Sequence, residues 1–152
     1  MQRRLTLVGL VAGFVLLLIL TVARVQAHHA FAAEFDANKP VKLKGTVTSM
    51  EWVNPHSWLH IDVKKPDGTV EKWMVEGGPP TSLLKRGFTK KSVVIGSEVV
   101  VEGFMSKDHA CHPICRANGR DITFTDGRKL FMGSSGTGAP LDGRDPTEQK
   151  KK

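Results

Sequence analysis

A histidine, a methionine and a glutamate are spaced so that a pair of strands would carry them to one surface. In Trp52-Val-Asn-Pro-His-Ser-Trp-Leu-His-Ile-Asp-Val63 the residues from Ser57 onward alternate. Leu59, Ile61 and Val63 share one side, and Trp58, His60 and Asp62 share the other, as a half-buried strand requires. Thr69 to Glu76 returns after the turn Lys64-Lys-Pro-Asp-Gly68. Setting Ile61 against Trp73 puts Leu59 opposite Val75 on the buried side, and Asp62 opposite Lys72, His60 opposite Met74 and Trp58 opposite Glu76 on the other. A slip of one residue would set Ile61 against Lys72 and mix core with solvent positions. Imidazole facing thioether is a donor pair of the right softness for Cu(I). The same residues without a ligand read as Trp58 and Met74 packed under the N-terminal arm, with His60 solvated.

Other donors lie outside this pair of strands. A chain cut after Ala27 begins His28-His29, whose α-amine and two imidazoles are three nitrogen donors suited to Cu(II), or else a frayed polar terminus. His56 and His60 cannot share an ion on one extended strand, because four residues span roughly 13 Å. His56 belongs instead to the Asn54-Pro55 turn, or meets the terminus from another direction. The loop His109-Ala-Cys111-His112-Pro-Ile-Cys115 holds four candidate ligands, and its cysteines read first as a disulfide and second as part of a metal site.

These groups need a scaffold and an address. Met1-Gln-Arg-Arg4 followed by the apolar run Leu5 to Ala23 and by Val25-Gln-Ala27 reads as a signal peptide of residues 1–27. The 19 apolar residues would also serve as an uncleaved membrane anchor, and either reading places the domain outside the cytoplasm. The leader carries three of the 22 basic residues and none of the 15 acidic ones, so the formal charge of +7 falls to +4 on cleavage. A surplus of that size, on an exported chain, does not call for nucleic acid. Residues 133–152 hold one large apolar side chain, Leu141, and read as a disordered tail.

Residues 28–132 form the domain, long enough for one modest core. Val41 to Glu51 alternates as one strand bent at Gly45, after an Asp36-Ala-Asn-Lys-Pro40 turn. Gly77-Gly-Pro-Pro80 breaks the sheet, and Thr81-Ser-Leu-Leu-Lys-Arg86 reads as a short helix capped by a hydroxyl and stopped by Gly87. Glu98 to Met105 is strongly β-branched, and Arg120 to Phe131 reads as a last strand with an Asp126-Gly127 turn. Three strands, a helix and one or two more strands make an all-β chain with one short helix. Its order is that of a small OB-like Greek-key barrel of about five strands, whose second and third strands commonly face the ligand, with a small sandwich as the alternative.

The motifs His28-His-Ala-Phe31, Glu34-Phe35-Asp36, Lys44-Gly-Thr-Val47, Trp52-Val-Asn-Pro-His-Ser-Trp58, Lys85-Arg-Gly-Phe88, Val101-Glu-Gly103 and Ala117-Asn-Gly-Arg120 together resemble a bacterial exported family, domain of unknown function family 6152. The resemblance spans roughly His28 to Phe131 and implies a periplasmic barrel-like domain without an assigned activity. The face of His60, Met74 and Trp58 also resembles in kind the site of the small periplasmic OB-fold metallochaperone of copper and silver efflux, although that protein uses two methionines and this face offers Met74 alone. There is no Ser nucleophile motif, no His-Glu-x-x-His and no carboxylate pair of forced spacing, so no catalytic residue is assigned. The expectation is a periplasmic, non-enzymatic binding module, with copper or a similar transition metal held by His28, His29, His60 and Met74, and with Trp58, His56 and Glu76 lining the face. The alternative is an envelope protein-interaction domain without metal.

Overall fold

The computed structural model describes residues 31–133. The expected leader, His28, His29 and residues 134–152 lie outside the described residues. After a helical turn at 31–34 come β1 (Phe35–Glu51), β2 (Trp58–Lys64), β3 (Val70–Glu76), a helix α1 (Pro80–Lys85), β4 (Glu98–Ser106), β5 (Cys115–Phe124) and β6 (Lys129–Phe131). Neighbouring strands run β3-β2-β1-β4-β5-β6, and a further pairing of β3 with β5 joins the sheet to itself. That last pairing is parallel and the others are antiparallel. The result is a closed five-stranded barrel with α1 between β3 and β4, the all-β class and OB-like order expected from the sequence.

The β2–β3 register is the one the alternation requires, with Ile61 on Trp73, Leu59 on Val75, His60 on Met74 and Trp58 on Glu76. Leu59, Ile61 and Val75 are fully buried, and Trp73 faces the same core. The register follows from burial: one face fills the barrel, so a slipped strand would lose every core contact at once.

Three elements differ from the sequence expectation. First, β1 begins at Phe35, so Asp36 to Pro40 lies inside a strand and not in a turn. The irregularity is a bulge: Phe35 pairs with Ser106 and Pro40 with Phe104, so residues 36–39 bow out of the ladder and Pro40 re-enters it at the edge of the bulge, where proline is tolerated. Second, α1 has no hydroxyl cap. It starts on Pro79 with Pro80 at its first position, whose missing N–H would have no partner there in any case. Third, β5 starts at Cys115, five residues before Arg120, and those added residues make the closing pairing with β3.

Gly45 sits where β2 crosses closest to β1. A Cβ there would lie 2.7 Å from the Asp62 carbonyl oxygen, so the strand tolerates only glycine at this crossing. The pairing then shifts between Val47 and Ser49, which carries the expected bend slightly beyond Gly45. Leu83 of α1 and Phe88 just beyond it are fully buried and plug one end of the barrel. Of the tail, Gly133 is described; it is buried, and its carbonyl accepts a 2.8 Å hydrogen bond from Arg86 Nη1.

Candidate functional site on the outer face of β2, β3 and β5

The outer face of the closing strands carries two rows of side chains. Trp58, Glu76 and Asn118 are paired across β2, β3 and β5, and so are His60, Met74 and Arg116. The expected face therefore exists, widened by a third strand. Asn118 and Arg116 were not among the sequence candidates, because the last strand expected from the sequence begins only at Arg120.

His60 is half-buried, and its Nε2 lies 2.9 Å from Glu51 Oε1 on the last residue of β1. An ionised carboxylate can only accept, so Nε2 is the donor in this contact, and in the neutral imidazole Nδ1 is then the nitrogen with the lone pair. A carboxylate on one ring nitrogen is the usual outer partner of a metal-binding histidine, since it fixes the tautomer and raises the basicity of the other nitrogen. A depression of about 250 Å³ opens beside His60 and is lined also by Thr48, Ile61, Asp62, Lys72, Trp73 and Ile114. Met74 is not part of that lining.

Glu76 lies on the outer face, yet its side chain is only 7% exposed. Asn118 Nδ2 donates to its Oε1 at 3.3 Å, and His56 Nδ1 lies 3.4 Å from its Oε2. Burial pushes the carboxyl up to about 7, the nearby Glu34 adds to the rise, and Asn118 and Arg116 oppose it. The two histidines of the opening motif thus serve different carboxylates, His56 with Glu76 and His60 with Glu51. His56 precedes β2, so the two do not lie on one extended strand.

Arg116 ties the N-terminal arm to this face. Its guanidinium lies 5.6 Å from the Trp58 ring centroid, and its Nη2 lies 3.5 Å from Glu34 Oε2. Phe31 and Phe35 pack with Phe104 into a small second core, and the Ala32 carbonyl accepts a hydrogen bond from Lys107 Nζ. The arm is held by aromatic packing and by charge together.

Cys111 and Cys115 form a disulfide, the first of the two readings of this loop. The Glu71 carboxylate lies within 4.8 Å of both sulfurs, so the three make a compact donor group, although a disulfide offers no thiolate to an ion. The indole Nε1 of Trp73 donates to Glu71 Oε2 at 3.0 Å, and Lys65 Nζ lies 3.7 Å from Oε1. His109 turns to Asp36, with Nε2 3.7 Å from Oδ2.

Residues 16–114 match a family described as "Family of unknown function (DUF6152)". No curated protein matches the chain.

Proposed function

The chain belongs to that family of unknown function, and from this premise we propose that its barrel is a periplasmic, non-enzymatic binding module whose ligand is a monovalent soft metal ion, Cu(I) or its like, held on the outer face by His60 and Met74. The observation that carries the reading is the pairing of His60 with Met74 on that face, with the imidazole oriented by Glu51 so that Nδ1 is left to coordinate. Imidazole nitrogen and thioether sulfur together select a soft cation over Mg²⁺ or Ca²⁺. His28 and His29 remain candidate further donors of a processed terminus, outside the described residues. Export accounts for the leader and for a disulfide in the mature domain.

The test is a competition titration with Ag(I), a redox-inert stand-in for Cu(I) that needs no thiol reductant and so leaves the disulfide intact. One ion per chain is expected. His60→Ala and Met74→Ala should each weaken binding at least about tenfold, the scale of losing one ligand or its orienting partner, with circular dichroism unchanged. Unchanged affinity in both variants would remove this site.

A second reading has its own observation. Trp58 with Arg116 stacked over it is the kind of aromatic and guanidinium anchor on which protein contacts concentrate, so an envelope protein would use the same face without metal. Trp73, by contrast, is a core residue and takes no part in such a contact. A Trp58→Ala variant that loses a protein partner while Ag(I) binding is absent would favour this second reading.

A further inference from the structure

We propose that the end of the barrel plugged by α1 docks on an anionic lipid surface. Five large hydrophobic side chains are exposed among the described residues, and four of them gather at this end: Val53 (47%), Leu84 (51%), Val94 (63%) and Ile95 (69%). Local bonds order the turns that carry them. Leu84 is in the last turn of α1, and the Phe88 N–H returns to the Leu83 carbonyl at 2.9 Å. Thr89 N–H donates to Ser92 Oγ at 2.9 Å, Ser97 N–H donates to the Val94 carbonyl at 3.1 Å, and Gly96 N–H reaches the Val47 carbonyl on β1 at 2.8 Å. Trp52 lies with its ring 5.9 Å from that of Phe88, which brings the adjoining Val53 to the same end.

The segment between β3 and β4 carries charge of one sign, with Glu98 at its border and Glu51 two residues before Val53. Lys85, Lys90 and Lys91 are exposed, and between Gly77 and Ser97 the chain has no aspartate or glutamate. Three lysines on the barrel wall meet carboxylates: Lys42 meets Glu102, Lys44 meets Glu98, and Lys129 meets Glu102 and Asp121. Lys85, Lys90 and Lys91 have no carboxylate partner among the described residues. Branched aliphatic side chains raised among unpaired lysines match an anionic headgroup layer, in which the apolar tips enter the acyl boundary and the ammonium groups stay with the phosphates. A protein partner fits less well, because lysine is depleted from the cores of protein interfaces. The bound fraction rises steeply with anionic lipid content, since each lysine adds its own attraction to the surface.

The experiment measures hydrogen exchange across residues 84–97 in the protein as isolated from cells. The probes are vesicles of phosphatidylcholine alone and of phosphatidylcholine with phosphatidylglycerol. Because the readout is local, an uncleaved leader would not mimic it. Slowed exchange is expected with the anionic vesicles only, and it should be lost at about 0.5 M salt, where charges are screened within a few Å. A Lys85→Glu, Lys90→Glu, Lys91→Glu variant should need at least about tenfold more lipid for the same protection, and Ile95→Asp should weaken it comparably. These side chains are exposed, so the variants should keep their circular dichroism. Exchange unchanged by either vesicle, or slowed equally by both, would overturn the proposal. Slowing that depends on protein concentration without lipid would assign this end of the barrel to a second copy of the chain and would overturn the proposal as well.

Discussion

A carboxylate that should have been solvated is nearly dry. Alternation along β3 puts Glu76 on the outer face, and that placement is right, but a period of two says only which face a residue takes. It is buried by neighbours from elsewhere in the chain: Asn118, 42 residues away, and His56 in the turn before β2. The consequence can be read in the pH dependence of stability. The folded carboxyl sits near 7, above its ordinary 4.5, so the folded state holds this proton more tightly than the unfolded one. Stability from this group is therefore complete below about pH 4.5 and is lost as pH rises through about 7, a change on the order of 3 kcal/mol. Urea unfolding at pH 5 and pH 8 should show the fall, and Glu76→Gln should remove most of it. A wild-type curve that is level between those pH values would mean that the carboxyl is not raised. At the same scale, Glu51→Gln should weaken Ag(I) binding about tenfold while leaving the barrel folded, as expected when the outer partner of a metal-bound imidazole is altered.

At the level of elements, the sequence placed α1 correctly and misread how it begins. Thr81 looked like a cap because hydroxyls commonly serve so, but the helix is capped two residues earlier, at Pro79, which leaves the hydroxyl no such role. The far end was read from a stronger signal. Gly87 has φ +81°, its N–H returns to the Leu84 carbonyl at 3.0 Å, and Phe88 closes the wider loop to Leu83, the two-bond arrangement that ends many helices. Leu83 and Phe88 then enter the core together as the plug. Gly87→Ala should lower stability by about 1–2 kcal/mol, the cost of a left-handed backbone to an L-residue, and open space around the position means that no clash adds to it. Leu83→Ala should cost about 2–5 kcal/mol through the cavity it leaves under the plug. Thermal unfolding monitored by calorimetry would rank the two.

Across the whole molecule, the barrel is fastened along a line where β3 meets β5, and this line was the least legible part of the chain. Strand order and the β2–β3 register could be read because each rests on local alternation, whereas Cys115 to Asn118 finds its partner on a strand some forty residues earlier. The disulfide stands at that point, closing Cys111 onto the first residue of β5. A loop this short restricts the unfolded chain only modestly, so reduction should cost about 2 kcal/mol and leave the barrel folded, as urea curves with and without reductant would reveal. Reduction that unfolds the barrel outright would mean that the bridge holds the seam and does not merely tighten it. The parallel pairing also bears on time. Its two halves cannot meet until the helix and β4 between them have been placed, so the entropy of closing that large loop is lost before any seam contact repays it. The chain should therefore fold in milliseconds to seconds, slowly for its length, with the β1–β2–β3 meander gaining protection before β5 in a pulsed exchange experiment.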